Sequence, residues 1–336
     1  MKTDYEILQT VGEGWYGHIL LVEHKKTRCE VVLKCVHQDA TMKKDFFREF
    51  HYSYFLSPHK NILNSYDVAF QADEYYVFAQ EYAPFGDLTS NISETGIGGT
   101  YTKSVITQIS SALEFMHSKD LVHRDIKPDN ILVFHSDFSK VKLCDFGCTR
   151  KSVSLVKKQT VWLPYAPPEI CDTVYNEGYH VDPSSDVWQL AIMMYVCLTG
   201  TVPWQKADIT DPRYNHFIKW QKRKSTRLPK NFTLFSTRLL RLFRRMLEPK
   251  SEKRCSVTEI NKYLNDKWLI RAPTKRTESD NESICYSSHS EVTEHGDRKK
   301  MLKSLLQYGV ETKVDKQAKK NRISEWVQMT EARNSK

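Results

Sequence analysis

The sequence contains 336 residues, carries a formal net charge of +9 and is 40% hydrophobic. This composition excludes a chain that is disordered throughout, and the length allows one large domain or two ordinary ones. The basic residues form no long block and no DNA-binding motif, so we expect a generally basic surface and no nucleic-acid partner.

The cysteines and the apolar runs indicate the cellular compartment of the protein. Eight cysteines are scattered without a CxxC pair or a Cys/His cluster at metal spacing, and Cys35 and Cys197 lie in apolar runs. This pattern is typical of reduced thiols in a cytoplasmic protein. The N-terminus lacks an apolar signal-peptide core, and the longest apolar run, 190–198, is too short to span a bilayer. We therefore expect a cytoplasmic protein without a transmembrane segment, with access to the nucleus left open.

The first 85 residues contain short β-branched and aromatic runs separated by polar turns, which is the pattern of strands. These runs are 5–12, 18–24, 29–36 and 75–82, and one helical segment, 43–56, lies among them. Later in the chain apolar residues recur at helical spacing, in 102–120, 184–200 and 236–248. A mostly β segment followed by a mostly helical segment predicts an α+β fold with two lobes, each with its own core.

The composition changes again after residue 270. Residues 271–336 are polar and rich in Ser, Thr and Glu, so we predict a disordered C-terminal tail. Within it, 299–309 has the pattern of a short basic amphipathic helix, for which a solvated, marginal helix is the alternative.

Three glycines form the motif GEGWYG between two strand-like runs. A lone GxGxxG is weak evidence because Rossmann folds also carry it, but there a helix follows the glycines and here a strand follows. A glycine-rich hairpin lets backbone amides approach phosphates without a side-chain clash. The predicted phosphate-binding loop consists of Gly12, Glu13, Gly14, Trp15, Tyr16 and Gly17.

A lysine, Lys34, closes the apolar run VVLK. Buried lysines are rare unless paired, so we expect a carboxylate partner. Such a lysine contacts the α- and β-phosphates of a nucleotide while the carboxylate holds it. Glu49 is the favoured partner because Phe46 and Phe50 turn that helix face toward the strands, and Asp45 is the alternative.

The strongest signal is the segment LVHRDIKPDNILV at 121–133. Here Asp125 is suited to accept a hydroxyl proton, Lys127 to neutralise a transferring phosphoryl group and Asn130 to ligate Mg²⁺. Asp145, in KLCDFG fifteen residues after Asn130, is the predicted main Mg²⁺ ligand. An HRD tripeptide alone occurs by chance, whereas HRDxKPxN between apolar runs does not. Together these groups predict phosphoryl transfer by positioning and charge neutralisation.

From about residue 5 to about residue 270 the chain resembles the eukaryotic protein kinase family, whose motifs it carries in the same order. The resemblance implies a bilobal protein-kinase-like fold, with a small β-rich N-lobe at about 5–82, a larger helical C-lobe at about 87–270, and ATP and Mg²⁺ as cofactors. It also implies a hinge that binds adenine through backbone groups. The implied nucleotide contacts are Glu81 and Ala83 of the hinge, Val11, Ile19, Val32 and Leu132 around the purine, and Asp87 near the ribose.

Segments such as YVFAQEYAPFGDL and VKLCDFGCTR are similar to those of the SH3-domain-binding kinase family of serine/threonine kinases. That resemblance implies transfer of the γ-phosphoryl group of Mg-ATP to Ser/Thr hydroxyls of protein substrates, with Asp125 as the base. An SH3 partner does not follow, because Pro273 is the only proline after residue 270 and no PxxP occurs there.

The family pattern implies further contacts. Glu169 of the sequence PPE is expected to pair with Arg254, and Asp186 to tie the catalytic loop to the helix below it. Arg124 is expected to bind a phosphate on the activation loop. The candidate phosphorylation sites are Thr149, Ser152, Ser154 and Thr160.

Three departures from the family pattern are visible. Val32 stands where the family has alanine, and Pro167 changes APE to PPE. Trp162 replaces a threonine that usually contacts the catalytic residues, and Thr160 is the nearest substitute. The departures in 160–167 fall in the half of the site that receives the protein substrate, so the substrate itself is not predicted.

The alternative to an active enzyme is a pseudokinase scaffold that acts by binding. Pseudokinases usually lose one of the four groups Lys34, Asp125, Asn130 and Asp145, or fill the glycine loop with bulk. All four groups and all three glycines are present, which favours the active enzyme.

Overall fold

A computed structural model describes residues 5–14, 16–25, 28–158, 163–174 and 177–270. These lie in one compact unit, Met1–Ala272, and the second unit, Pro273–Lys336, lies outside the described residues. Several predictions fall on residues outside the description. They concern the predicted tail 271–336 with the predicted helix 299–309, Trp15 of the glycine loop, and Thr160 and Trp162, which are expected to contact the protein substrate.

The N-terminal lobe is an antiparallel sheet of five strands with one helix. Its elements are β1 (Tyr5–Gly14), β2 (Gly17–His24), β3 (Glu30–His37), α1 (Lys43–Leu56), β4 (Ser65–Ala72) and β5 (Tyr75–Gln80). The spatial order is β1-β2-β3-β5-β4, so β3 lies at the centre of the sheet. The helix α1 has the bounds that the sequence predicts. Its residues Phe46 and Phe50 pack on Phe78 of β5, with ring centroids 5.7 and 5.8 Å away.

The strand β4 is not predicted by the sequence pattern. Its residues SYDVAFQA place the exposed Asp67 between the buried Tyr66 and Val68. Among the strands that the structure describes, β4 is at the edge of its sheet and pairs only with β5, and its register shifts between Ser65 and Ala69. Such an irregular strand leaves only a weak alternation in the sequence.

The C-terminal lobe is mainly helical. Its helices are α2 (Gly99–His117), α3 (Pro168–Asp172), α4 (Ser184–Thr199), α5 (Pro212–Gln221) and α6 (Thr237–Met246). Its short strands are β6 (Leu121–Val122), β7 (Ile131–Val133), β8 (Val141–Leu143), β9 (Arg150–Lys151), β10 (Leu155–Lys157) and β11 (Gly178–His180). They form three antiparallel pairs, β6 with β9, β7 with β8 and β10 with β11. The α+β fold with two lobes is therefore confirmed.

The helix α4 is the centre of the C-terminal core. Every residue from Ser184 to Leu198 is buried, and the ring of Trp188 lies 6.0 Å from that of Trp204. The helix ends at Gly200, whose left-handed φ of 73° and close approach to the carbonyl oxygen of Glu94 leave no space for a Cβ atom. Among the described residues, no helix is long and apolar enough to span a membrane.

Candidate active site

The central strand β3 brings Lys34 to the two carboxylates that the motifs single out. Its Nζ atom lies 2.5 Å from Oε1 of Glu49 on α1 and 3.4 Å from Oδ1 of Asp145. The side chains of Lys34 and Glu49 are each 13% exposed. The alternative partner, Asp45, instead forms an ion pair with Arg48 on the same helix. The structure therefore joins Lys34 to Glu49, across fifteen residues of sequence.

Opposite charges determine the protonation of this cluster. Burial by itself lowers the pKa of Lys34, but the charges of Asp145 and Glu49 outweigh burial and raise that pKa above its ordinary value. The charge of Lys34 in turn lowers the pKa of Asp145, against the effect of burial. Lys34 is therefore a cation and Asp145 an anion at neutral pH, which is the state that phosphate binding and cation binding require.

The catalytic loop gathers three polar groups of the 121–133 motif. Lys127 Nζ lies 2.9 Å from Oδ2 of Asp125. Asn130 donates from Nδ2 to the same oxygen at 2.9 Å and to the carbonyl oxygen of Asp125 at 2.7 Å. The Asp125 side chain remains 28% exposed, so its carboxylate is accessible from solvent. The structure thus brings Asp125, Lys127 and Asn130 together.

Two side chains of the buried helix α4 form hydrogen bonds to the backbone of this loop at 123–126. The carboxylate of Asp186 accepts hydrogen bonds from the amides of His123 and Arg124, at 2.9 and 2.7 Å. Gln189 donates to the carbonyl oxygen of Arg124 at 3.0 Å and accepts from the amide of Ile126 at 2.9 Å. These bonds stabilise Arg124 at a φ of 73°, a conformation that costs free energy in a non-glycine residue. The contact expected of Asp186 is confirmed, whereas Gln189 was not identified from sequence.

Asp186 makes the stability of the fold depend on pH. Burial alone raises the pKa of Asp186, but the hydrogen bond and charge of His117 and the charge of His123 bring it below the ordinary 3.8. A carboxyl whose pKa is lowered by folding contributes stability above the unfolded-state pKa, and the contribution is lost as pH falls through the folded-state value. We therefore expect the free energy of unfolding of wild type to fall below about pH 4, and that of Asp186→Asn to fall less steeply. Urea denaturation at a series of pH values measures both slopes, and parallel slopes would contradict the assignment.

The glycine loop is a hairpin between β1 and β2, in which Gly12 pairs with Ile19 and Gly14 with Gly17. At Gly17, φ is 144° and a Cβ atom would lie 2.0 Å from the carbonyl oxygen of Cys35, so this position requires glycine. Glu13 and Tyr16 of the same loop are exposed. The hairpin that the motif predicts is therefore present in the described residues.

The remaining predicted nucleotide contacts lie around the junction between the lobes. Val11 on β1 is exposed, Ile19 is half-buried, and Val32 on β3 is paired with Gln80 at the end of β5. Leu132 on β7 bridges to Asp87. Leu132 also packs with Ala83, Leu63 and Phe134 in one small apolar cluster.

The hinge after β5 leaves backbone groups available. The amide of Glu81 donates to the carbonyl oxygen of Asn64 at 2.9 Å. Within the described part of the chain, the Glu81 carbonyl oxygen and the Ala83 amide have no backbone hydrogen bond of their own. One acceptor and one donor spaced in this way are the groups that adenine requires. The Glu81 side chain pairs with Lys142 of β8, a contact that was not identified from sequence.

The activation loop, which runs from Asp145 to Glu169, contacts other parts of the C-terminal lobe through several of its described residues. Arg254 donates to both carboxylate oxygens of Glu169, at 2.9 and 3.0 Å, which confirms the expected pair. Arg124, the expected phosphate ligand, donates to the carbonyl oxygen of Cys148 at 2.8 Å and to the hydroxyl of Tyr179 at 2.6 Å. Thr149 is fully buried, so its hydroxyl is inaccessible to a kinase in this conformation.

The chain is similar to known proteins over most of its length. Residues 5–269 match the model of the protein kinase domain. The serine/threonine-protein kinase meng-po of Drosophila melanogaster is 44% identical across 98% of this chain and 75% of that protein. The serine/threonine-protein kinase SBK1 of Danio rerio is 44% identical across 79% of this chain and 69% of that protein. SBK2 of Homo sapiens is 31% identical across 80% and 78% respectively.

Proposed function

The chain belongs to the protein kinase family and is a serine/threonine kinase, and from this we propose that Asp125 is the base through which it phosphorylates protein substrates. The observation that supports this role most directly is the bonding of one Asp125 oxygen to both Lys127 and Asn130. We further propose a kinase domain at 5–270, with lobes at about 5–82 and 87–270, followed by a tail at 271–336.

In the proposed reaction the substrate hydroxyl oxygen attacks the γ-phosphorus of ATP and its proton passes to the Asp125 carboxylate. The bond from the γ-phosphorus to the bridging oxygen breaks, and ADP leaves. Lys127, adjacent to Asp125, neutralises charge on the transferring group. Lys34, held by Glu49, binds the α- and β-phosphates, and the loop at 12–17 covers the phosphates with its amides.

The residues present fit a magnesium ion. Asn130 uses its amide nitrogen for both bonds to Asp125, which leaves its side-chain oxygen for a cation. The Asp145 side chain is charged and 44% exposed. Among the described residues no cluster of three His, Cys, Asp or Glu ligands occurs, and Mg²⁺ characteristically takes its other ligands from phosphate and water. We propose that Asn130 and Asp145 hold Mg²⁺, which when bound supplies charge neutralisation at the phosphate oxygens.

The base is tested by the variant Asp125→Asn. We expect kcat to fall by about 10²- to 10⁴-fold because the carboxylate no longer accepts the proton, while ATP binding is retained. Incorporation of labelled phosphate into a generic protein substrate measures kcat, and calorimetry measures ATP binding. The control is Asp137→Asn, an exposed aspartate in the turn after β7, which should transfer phosphate at the wild-type rate. Equal kcat in Asp125→Asn and wild type would reject Asp125 as the base.

A pseudokinase scaffold has no observation in its favour, because all four groups that pseudokinases usually lose are in place. For location we propose the cytoplasm. The seven cysteines in the described residues are free thiols, and this supports a reducing compartment. We propose no SH3 partner, since the tail has no PxxP segment.

A further inference from the structure

A second buried lysine lies directly beside the hinge. Lys142, in the middle of β8, is 1% exposed and forms an ion pair with the carboxylate of Glu81. Its chain neighbours Val141 and Leu143 belong to the apolar core. A charged side chain is almost never buried at such a position unless it is paired. A leucine or methionine would fill the space without desolvating a charge, so the lysine calls for a specific reason.

The carboxylate of Glu81 connects three segments of the chain. It accepts a hydrogen bond from the amide of Asn64 at 2.6 Å in addition to the ion pair with Lys142. The amide of Glu81 donates back to the carbonyl oxygen of Asn64 at 2.9 Å. The first residue after β5 is therefore fixed from one side by the segment before β4 and from the other by the β7–β8 hairpin of the C-terminal lobe.

The same hairpin carries Leu132, which is predicted to lie against the adenine ring. Lys142 is the direct cross-strand partner of Leu132, and such partners project to the same face of a sheet. Leu132 packs with Ala83 of the hinge and with Phe134. The Lys142 amine lies 5.1 Å from the centre of the Phe134 ring. The ion pair between Lys142 and Glu81 therefore lies next to the apolar residues Leu132 and Phe134.

We propose that Lys142 is a positioning residue for nucleotide binding, which sets the place of the hinge above Leu132 through the side chain of Glu81. The inference rests on the proposed function. Lys142 touches neither ATP nor the reacting atoms. It holds the carbonyl oxygen of Glu81 and the amide of Ala83 at the spacing at which both meet the adenine edge.

The variant Lys142→Met tests this role because methionine fills a similar volume without a charge. We expect the KM for ATP to rise about tenfold, the change that a loss of about 1.4 kcal/mol of binding free energy produces. We expect kcat to stay within about twofold, because the phosphoryl-transfer groups are untouched. An unchanged KM for ATP would overturn the inference, whether or not kcat falls.

The control is Lys140→Met. Lys140 lies on the same hairpin with its amine 4.8 Å from the same Phe134 ring, but it forms no ion pair with any of the residues described. Its substitution removes a lysine and a ring contact without freeing a carboxylate. The KM for ATP should therefore match that of wild type, and an equal rise in both variants would reject the ion pair as the cause.

A double-mutant cycle covers the case in which Lys142→Met folds poorly. Lys142→Met combined with Glu81→Met leaves no unpaired buried charge, so its fold is less affected than that of the single variant. If the two residues act as one unit, the double variant raises the KM for ATP no more than Glu81→Met alone. If the double variant instead raised the KM for ATP by the product of the two single-variant factors, the residues would act independently and the inference would be overturned.

Binding of ADP, measured by calorimetry for all variants, separates this inference from the proposed function. Tight ADP binding by wild type and weak binding by Lys142→Met support the positioning role even if Asp125→Asn retains activity. Equal ADP binding by wild type and Lys142→Met contradicts the positioning role alone.

Discussion

Replacing Asp145 by asparagine is expected to lower phosphate transfer by about 10³-fold or more, because a loss of about 4 kcal/mol in stabilising the transferring phosphoryl group has that effect. Asp145 is an anion whose pKa is lowered chiefly by Lys34. The amide keeps the shape of the side chain but removes the charge that a cation needs. Asparagine also tolerates the left-handed φ of 63° at this position, so the backbone is retained. Transfer of labelled phosphate to a generic protein substrate measures the loss.

The control for Asp145→Asn is Asp67→Asn, the same change at an exposed position on β4. It should leave the transfer rate unchanged. Thermal unfolding should show both variants folded, because Lys34 keeps its ion pair with Glu49 in Asp145→Asn and Asp67 is exposed. Transfer by Asp145→Asn at the wild-type rate would contradict the proposed metal site and reopen the assignment of Asp145.

The variant Arg254→Met is expected to reduce the free energy of unfolding by about 3 kcal/mol, the lower end of what breaking a buried ion pair costs. The Arg254 side chain is fully buried, while Glu169 keeps 34% exposure, which places the effect at that lower end. Beyond Glu169, the guanidinium donates to the carbonyl oxygens of Ser184 and Glu248, both at 2.9 Å. All these acceptors lose their donor at once. Urea denaturation measures the change.

The control for Arg254→Met is Arg241→Met, which removes an exposed arginine from α6 that has no ion pair within the described residues. Its unfolding free energy should lie within about 0.5 kcal/mol of wild type, as is usual for surface changes. Adding Glu169→Gln to Arg254→Met should recover part of the loss, because the unpaired carboxylate is removed. A loss below about 1 kcal/mol in Arg254→Met would show that the contact contributes no more than a surface ion pair.

Much of the fold was predictable because its signals are local. The helix α1 has the predicted bounds, and both ends of the strands β2 and β3 lie within one residue of the predicted runs. The strand β4 was missed because the edge of a sheet imposes little alternation on its residues. The helix α5 was missed as well, although Asp211 caps its amides in the usual way.

The candidate site divides along the same line. Short motifs named Lys34, Asp125, Asn130 and Asp145, because phosphoryl transfer needs a fixed set of charges and each charged or polar group lies within a short, specific motif. The structure adds that Lys34 lies against Asp145 and that Asp125 lies against Asn130. The sequence favoured Glu49 over Asp45 as the partner of Lys34, and the structure joins Lys34 to Glu49 and Asp45 to Arg48.

The motifs were enough to predict the family and the order of the lobes, since each motif is a group of residues close together in the chain. Contacts between groups far apart in the chain became visible only in the folded protein. The Lys142–Glu81 pair joins positions 61 residues apart, and the contact of Arg124 with Tyr179 joins positions 55 apart. Whether a buried charge is paired depends on packing between elements, and the pattern along one strand carries no information about the partner.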